Sequence, residues 1–319
     1  MSRYDRQLIL PEIGAQGQAR LAAAHVLILG AGGLGASLIP ALAGAGIGRL
    51  VIVDDDLVEE SNLHRQTLFR MADLGRPKAE CAARAARALN PEIRVDALMR
   101  HLDPGNLDPL LSGVDLVVDA ADSFAVSYML SDACLPLALP LISASVLGRQ
   151  GYAGGFCGGA PGLRAVFPEL PETAASCATA GVMGPVVSML GAMQAQMVLS
   201  VLLGLTPSPL GQIVNLDLAN WRFSGFRFDG AAEPDCGLHF IGRSQLMDAD
   251  CVIELRGTEE APQPVTSRAM RVAPVAIGDW QPPAGQRVVL ACRSGLRAWR
   301  AGRVLQARGI SDLALIATG

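Results

Sequence analysis

The residues best suited to chemistry begin with a run of glycines after a short apolar stretch. GAGGLG directly follows HVLIL and opens a helix-like pattern. In this G-x-G-x-x-G spacing, glycines let phosphate groups approach backbone amides at the positive end of a helix. The glycines that match are Gly30, Gly32, Gly33 and Gly35. They indicate a nucleotide site, and alone they fit NAD, FAD or ATP equally well.

Charged residues further along the chain narrow the choice of nucleotide. Asp54 follows the second apolar stretch, where a carboxylate can bind ribose hydroxyls. SNLHRQ contains Arg65, GRPK contains Lys78 and DAADS contains Asp122. Two cations suit a triphosphate and a carboxylate suits magnesium, whereas a nicotinamide site needs none of these. We therefore expect ATP and Mg²⁺, although any one of these residues alone could be a solvated surface charge.

A second chemical signal lies near the C-terminus. CRSGLR separates the apolar run VVLA from a helix-like stretch. Only the thiolate form of cysteine is a nucleophile, and a helix N-terminus with Arg293 and Arg297 beside it would stabilise that anion. The pattern predicts a reactive Cys292 that could hold sulfur. The alternative is an inert, buried cysteine.

These residues need elements to position them, and the chain supplies strands that alternate with helices. Apolar runs predict strands at 25–29, 50–53, 93–98, 115–119 and 140–145. Helical patterns fill the intervals, so we expect an α/β fold with a Rossmann-like, mainly parallel sheet covered by helices on both faces. Later glycine-rich strands extend this domain. We place it at 1–245 and a small α/β domain at 246–319.

Composition limits the classes of partner and location. The 319 residues carry a formal net charge of -4, so no basic surplus points to nucleic acid. The N-terminus lacks the apolar region of a secretory signal. The 7 cysteines are scattered and form no C-x-x-C pair, which favours reduced thiols in the cytoplasm.

One uncharged stretch raises the question of a membrane. No charged residue occurs between Glu172 and Asp217, and the stretch is long enough to span a bilayer. It also contains Pro185, Gln194 and Gln196, and no Lys or Arg flanks it closely. We expect a helix buried in the core or at a dimer interface, and no membrane association.

The full set of motifs resembles a known family. Residues 3–228 are similar to the MoeB/ThiF family, the adenylating enzymes of ubiquitin-like sulfur carriers, which are related to ubiquitin-activating enzymes. The motifs that carry this resemblance are RYDRQLILPEIG, GAGGLG, the D-x-D of DDD, SNLHRQ, GRPK and the D-x-x-D of DAADS. The resemblance implies that the C-terminal glycine carboxylate of a carrier ending in Gly-Gly attacks the α-phosphate of ATP. The products would be an acyl-adenylate and pyrophosphate.

The resemblance also assigns roles to individual residues. It implies that Asp54 holds the ribose, Gly33 the phosphates, Arg65 and Lys78 the triphosphate and Asp122 the magnesium, with Asp56 and Asn62 also at the nucleotide and Arg6 supplied by the second subunit of a homodimer. Cys177, in ETAASCATAGVMGPV, resembles a cysteine that can form a thioester or persulfide link with the activated carrier. A loop cysteine of no chemical use is the alternative.

The chain departs from this family where its members usually hold a structural zinc with two C-x-x-C pairs. Gly162 and Ala165 occupy the places of the first pair. The second pair keeps only Cys236, with His239 in the partner place. One thiolate and one imidazole do not complete a four-ligand site, so we predict no structural zinc. Ser123 also replaces a common asparagine.

The C-terminal unit resembles a rhodanese domain. CVIELRGTEE is similar to the opening strand and D-V-R-x-x-x-E signature, with Glu254 for the aspartate, and CRSGLR is similar to the active-site loop. This resemblance implies that Cys292 carries a persulfide, received from a donor such as a cysteine desulfurase, and delivers sulfur to make a thiocarboxylate. At about 70 residues the unit has the size at which a core is marginal, so it could be degenerate or supported by the larger domain.

Three functions follow from these patterns. The first is an adenylyltransferase with sulfurtransferase activity in a molybdopterin or thiamine type of pathway. The second is a non-catalytic module that binds a carrier. The third, which the magnesium aspartate disfavours, is an NAD-dependent oxidoreductase.

Overall fold

The computed structural model describes residues 3–170, 181–234 and 237–319. The strands within these ranges are β1 (His25–Leu29), β2 (Arg49–Val53), β3 (Arg94–Leu98), β4 (Leu116–Asp119), β5 (Leu141–Leu147), β6 (Gln150–Phe156), β7 (Gln212–Asp217), β8 (Arg222–Arg227), β9 (His239–Phe240), β10 (Cys251–Glu254), β11 (Met270–Arg271), β12 (Val288–Cys292) and β13 (Leu313–Ala317). The helices within them are α1 (Asp5–Leu8), α2 (Gly14–Ala23), α3 (Gly33–Ala45), α4 (Lys78–Leu89), α5 (Pro104–Leu111), α6 (Phe124–Cys134), α7 (Leu163–Val166), α8 (Gly184–Leu203) and α9 (Leu296–Ala307).

The strands form two sheets. The larger one has 8 strands in the order β3-β2-β1-β4-β5-β6-β7-β8. Neighbours from β3 to β5 are parallel, because each consecutive pair is joined by a crossing helix. Pairs from β5 to β8 are antiparallel. The predicted α/β class and mainly parallel sheet are therefore confirmed.

Helices cover the larger sheet on both faces, as the continuous apolar runs of its central strands require. On one face α3, α4 and α8 pack over side chains such as Val26, Ile28 and Ile52. On the other face α5 and α6 pack over Leu27 and Leu29. Side chains of β1 thus alternate between two cores.

The uncharged stretch forms α8, and it is the one helix within the described ranges that is long and apolar enough to cross a membrane. It packs against α3, β5 and β6. Val187, Leu190 and Val198 are buried there with α3 residues in one apolar cluster. This position fits the predicted core helix.

The second sheet is small, and its unit packs against the first domain. Its 5 strands run in the order β11-β10-β12-β13-β9, and all of its pairs are parallel. One apolar cluster includes Leu27 of the first sheet together with Leu290 and Trp299 of the second unit. The ring centroids of Trp299 and Tyr128, on α6, are 5.7 Å apart. Shared burial explains how so short a unit has a core.

The domain boundary near residue 245 stays a prediction. By strand pairing, the second sheet already takes a strand from His239–Phe240, whose partner is β13. A boundary defined by sheet membership would therefore lie just before residue 239.

Arg164 lies between Gly162 and Ala165, the two positions that the resemblance equates with the family's first C-x-x-C pair. Arg164, on α7, is buried and donates from Nε and Nη2 to Asp132 at 2.6 and 2.8 Å. Its Nη2 also donates to the carbonyl oxygen of Leu238 at 2.9 Å. The guanidinium carbon lies 4.9 Å from the Tyr128 ring centroid and 5.5 Å from that of Trp299. One side chain thus joins α6, α9 and the segment between the domains.

Candidate active site

The glycine-rich loop links the end of β1 to the start of α3. Gly30 has φ +99°, and a Cβ atom on it would lie 2.6 Å from the carbonyl oxygen of Ala120. A Cβ on Gly35 would lie 2.5 Å from the carbonyl oxygen of Gly30. Glycine is therefore required by backbone geometry at both positions. The N-terminus of α3 begins at Gly33, so it can face an anion as the sequence predicts.

Asp54 is hydrogen-bonded to the backbone of this loop. Its Oδ2 accepts the N–H of Ala31 at 2.7 Å, and its Oδ1 accepts that of Asp56 at 2.9 Å. Burial raises the pKa of the Asp54 carboxyl, and the two N–H donors partly offset that effect. The carboxylate is half-buried beside the glycines, where a ribose is expected.

Arg65 and Gln66 lie on another side of the loop. A Cβ on Gly33 would be 3.6 Å from Cγ of Arg65, and one on Gly32 would be 3.7 Å from Nε2 of Gln66. Within the described ranges no carboxylate pairs with Arg65, whose Nη1 contacts His64 Nε2 at 2.9 Å. Its charge is therefore available for phosphate.

Gln66 adds a feature that the sequence patterns did not predict. It is buried, and its Oε1 atom has no hydrogen-bond partner among the described residues. A buried, unpaired acceptor beside a glycine-rich loop fits a site that a ligand or water completes.

Lys78 and Asp56 form a pair beyond the loop. Nζ of Lys78 lies 2.7 Å from Oδ2 of Asp56, and the Lys78 side chain is 7% exposed whereas that of Asp56 is 68% exposed. The backbone N–H of Lys78 also donates to the Asp56 carbonyl at 2.9 Å. Lys78 is thus held at the first position of α4, with its ammonium already engaged.

The aspartates of DAADS occupy different environments. Asp122 is exposed in the loop between β4 and α6, next to the backbone that touches Gly30. Asp119 is fully buried at the end of β4. Its Oδ2 accepts from Ser143 at 2.7 Å, its Oδ1 accepts from Ala121 N–H at 3.2 Å, and its carbonyl accepts from Gln194 at 2.7 Å. Asp119 therefore orients the loop that carries Asp122.

Burial raises the pKa of Asp119 to about 6, above its ordinary 3.8. The folded protein holds this proton more tightly than the unfolded chain does, so the stability it contributes is present below pH 3.8 and is lost as pH rises through about 6. Urea unfolding of wild type and Asp119→Asn should be measured across this range. As pH rises, the unfolding free energy of wild type should fall by about 3 kcal/mol relative to that of Asp119→Asn. A difference that stays constant with pH would contradict the shifted pKa.

The remaining predicted residues of the nucleotide site are spread around this centre. Asn62 is buried in a short 3₁₀ helix, where its Oδ1 accepts the N–H of Glu59 at 3.3 Å. Arg6 is exposed on α1. Cys177 and Cys236 lie outside the described residues. The described residues include no group of three or more His, Cys, Asp or Glu side chains that could hold a metal ion. The absence of structural zinc stays a prediction.

Cys292 is the last residue of β12, and the loop after it leads into α9. Its Sγ lies 3.3 Å from the backbone nitrogen of Ala298, in the first turn of α9. Gly295 has φ +82°, and a Cβ on it would be 2.6 Å from the Phe240 ring. The thiol thus faces a helix N-terminus as predicted, but the residue is fully buried.

The two arginines beside Cys292 differ. Arg297 forms a bidentate pair with Glu260, donating from Nη1 at 2.7 Å and also from Nη2. This partner raises the pKa of Arg297, and the nearby Cys292 contributes to the same shift. Arg293 is exposed. Part of the positive charge expected at the thiol is therefore neutralised by a carboxylate that the sequence patterns did not assign.

Glu254, which stands in the sequence where the resemblance expects the signature aspartate, is the last residue of β10. It is fully buried, and its Oε1 and Oε2 accept from Arg256 at 2.8 and 2.7 Å. Although burial raises the pKa of this carboxyl, the Arg256 guanidinium and the N–H of Val265 hold it below its ordinary value. Arg256 also donates to Thr318, which lies beside the Cys292 loop.

Comparison with known proteins places these observations in a family. The model of the ThiF family matches residues 4–238, the whole stretch from α1 to the end of the first domain's sheet. The chain belongs to the ThiF family. The resemblance expected from the motifs is confirmed.

Relatives within the ThiF family are similar over about three quarters of the chain. The SAMP-activating enzyme E1 of Haloferax volcanii is 39% identical over 238 residues, covering 74% of this chain and 87% of that protein. The adenylyltransferase and sulfurtransferase MOCS3 of Bos taurus is 44% identical over 237 residues, covering 73% of this chain and 52% of that protein. The match thus spans about half the length of MOCS3.

A solved ThiF-type structure shares the fold. The crystal structure of E. coli MccB with ATP superposes with a TM-score of 0.62 at 24% identity, covering 72% of each chain. At this identity the likeness supports the architecture.

Proposed function

We propose that this ThiF-family chain is an ATP-dependent adenylyltransferase that activates the C-terminal glycine of a small ubiquitin-like sulfur carrier. We further propose that Cys292 then supplies sulfur to form a thiocarboxylate, in a molybdopterin or thiamine type of pathway. The observation that carries the first proposal is the convergence of Asp54, Arg65 and the Asp122 loop on one glycine-rich helix N-terminus. The relatives named as adenylyltransferases support it.

Binding of ATP follows from this geometry. The ribose hydroxyls would donate to Asp54, and the phosphates would face the amides at the start of α3. The guanidinium of Arg65, which pairs with no carboxylate among the described residues, can approach the triphosphate directly. Lys78 can do so by exchanging Asp56 for phosphate, because the Asp56 side chain is largely exposed and can turn to water.

The chemical step is a displacement at the α-phosphorus. A carrier carboxylate oxygen forms a bond to phosphorus as the bond to the pyrophosphate oxygen breaks, and pyrophosphate takes the electron pair. No proton needs to move, because a carboxylate is already ionised at neutral pH. The barrier is largely repulsion between anions, so Arg65, Lys78 and backbone amides would act by neutralising charge and by positioning.

The side chains at this site fit magnesium. Mg²⁺ usually takes one or two protein carboxylates and fills its other positions with water and phosphate oxygens. Asp122 presents one exposed carboxylate next to the glycine-rich loop, and it would hold the ion. When bound, Mg²⁺ would neutralise charge on the phosphates.

The sulfur step would use the second unit. A persulfide on Cys292, loaded by a donor such as a cysteine desulfurase, has a terminal sulfur that can attack the adenylate carbonyl and release AMP. The resulting acyl disulfide needs a second thiol to release the thiocarboxylate and leave a disulfide. We propose Cys177 as this second thiol, whereas the family resemblance itself implies a thioester or persulfide link between Cys177 and the carrier.

Two further features concern assembly and location. We propose a homodimer in which Arg6 acts at the partner's nucleotide, since its side chain is exposed on the N-terminal helix. We also propose a cytoplasmic location, because the five cysteines in the described ranges are free thiols. These are Cys81, Cys134, Cys157, Cys251 and Cys292.

The C-terminal unit has a second candidate function. The full burial of Cys292 and the pairing of Arg297 with Glu260 favour a structural module that only supports the first domain or helps to bind the carrier. Sulfur chemistry would require the Cys292 loop to open.

The experiment that tests both proposals combines ATP–pyrophosphate exchange with a persulfide assay, using purified carriers that end in Gly-Gly. Cys292→Ala should keep exchange and lose both the persulfide and thiocarboxylate formation. Cys251→Ala, which removes another buried thiol of the same unit, is the matched control and should keep all three. Absence of exchange with every carrier would overturn the adenylyltransferase proposal. Normal thiocarboxylate formation by Cys292→Ala would overturn only the role of Cys292.

A further inference from the structure

A second cleft, of about 520 Å³, opens at the opposite end of the strands from the glycine-rich loop and extends along β3 as far as Leu98. It is lined by His25, Arg49 and Arg94, which are the first residues of β1, β2 and β3. The glycine-rich loop instead follows the last residue of β1. Because a strand rises about 3.3 Å per residue, the first and last residues of β1 are roughly 13 Å apart. The apolar part of the cleft comes closer to the glycine-rich loop, because the carbonyl of its lining residue Leu98 accepts the N–H of Asp54 at 3.1 Å.

The lining of this cleft carries an excess of positive charge. Three guanidiniums, those of Arg49, Arg87 and Arg94, face one carboxylate, that of Asp96. Asp96 lies 2.9 Å from Nη2 of Arg49 and 3.1 Å from Nε of Arg94. One carboxylate balances one guanidinium, so the lining keeps a surplus of positive charge.

Hydrogen-bond donors remain available at the same place. Arg94 has a side chain that is 67% exposed, and within the described ranges its contacts use only Nε, so both terminal nitrogens are free to donate. His25 donates from Nδ1 to the Gly113 carbonyl, 2.8 Å away, while its buried Nε2 has no partner in those ranges. A buried polar atom without a partner is rare in folded proteins.

The floor of the cleft is apolar. Val51 of β2, Leu98 of β3 and Leu110 of α5 line it. A basic rim above an apolar floor, in a cleft of this volume, has the make-up of a small-molecule site.

We propose that this cleft binds a small organic anion, with its oxyanion head on Arg49 and Arg94 and its apolar body on Val51, Leu98 and Leu110. Guanidiniums bind carboxylate and phosphate oxygens in the same bidentate way, so the head can be either group. The oxyanion head would lie at the other end of the strands from the proposed nucleotide site, and the proposal does not depend on adenylyltransferase activity.

The test is calorimetric titration of the full chain with octanoate and with octyl phosphate, which share the apolar body and differ in the head. Acetate and octanol, each lacking one half of the ligand, should bind at least tenfold more weakly. Arg94→Gln should weaken binding of the preferred probe about tenfold, since it removes a charged donor. Arg222→Gln, at the start of the other edge strand β8, is the matched control and should bind as wild type does.

Imidazole NMR locates the probe, because the protein has 4 histidines. Binding should shift the signals of His25, identified with His25→Gln, and leave those of His64 beside the glycine-rich loop unchanged. Three results would overturn the proposal: no binding of either probe at millimolar concentration, equal binding by Arg94→Gln and wild type, or displacement of the probe by ATP. The last would assign the anion to the nucleotide site.

Discussion

Asp122→Asn is expected to lower ATP–pyrophosphate exchange by about 100-fold or more while the protein stays folded. The asparagine keeps the size of the side chain but removes the charge that would hold Mg²⁺ against the triphosphate. Asp122 is exposed in the β4–α6 loop, so burial and packing do not change. Exchange measured at saturating ATP and carrier, together with the urea midpoint, separates a catalytic loss from an unfolding effect.

Two further variants sharpen this result. Asp122→Glu keeps a carboxylate on a longer side chain and should lose less exchange than Asp122→Asn. Asp279→Asn removes an exposed carboxylate from the second unit and should leave exchange unchanged. If Asp122→Asn exchanged at the wild-type rate, Asp122 would have no role in the reaction. A large fall in the urea midpoint would instead assign Asp122 to stability.

Arg164→Met should lower the free energy of unfolding by about 3 kcal/mol. The change leaves the Asp132 carboxylate, 24% exposed, without its bidentate partner. It also removes the cation from between the Tyr128 and Trp299 rings, and the two units lose the side chain that joins them. Urea unfolding monitored by tryptophan fluorescence would report the loss directly, because Trp299 is one of the contacting rings.

Arg303→Met is the matched control, because Arg303 pairs with Glu169 at 2.6 Å but both side chains are about half exposed. Its cost should stay below about 1 kcal/mol. Arg164→Met combined with Asp132→Asn should recover part of the stability, since the carboxylate that has lost Arg164 and keeps only His239, at 3.0 Å, is gone. Equal costs for Arg164→Met and Arg303→Met would show that Arg164 stabilises the protein no more than an exposed ion pair does.

The difference in unfolding free energy between wild type and Arg164→Met should depend on pH. Although burial raises the pKa of the Asp132 carboxyl, Arg164 and His239 hold it below its ordinary 3.8. The stability of the pair is therefore present above that pH and is lost as pH falls below it. Wild type and Arg164→Met should accordingly converge in stability in acid below pH 3.8.

Much of the nucleotide site could be predicted from the sequence, because its parts are local. The glycines of GAGGLG are required where backbone meets backbone, and Asp54 follows its strand directly, so short segments carry both features. Alternating strands and helices likewise determined a parallel sheet, since a crossing helix returns the chain in the same direction.

Other features depended on residues that are distant in sequence. Three ion pairs cannot be predicted from any short motif. They are Lys78 with Asp56, Arg297 with Glu260 and Arg164 with Asp132. The same holds for Asp119, whose burial and raised pKa follow from the packing of β4 between its neighbours.

The sequence by itself determined the family, the sheet and the residues of the proposed nucleotide site, because these rest on backbone geometry and strand order. Only the tertiary structure decided which charged side chains pair with each other and which residues of the first domain pack against the second unit. Ion pairs and shared cores form between segments that approach each other in space, as Leu27 and Trp299 do in one cluster. Burial and pairing, which set each side chain's pKa and availability, are properties of that packing and not of the motif.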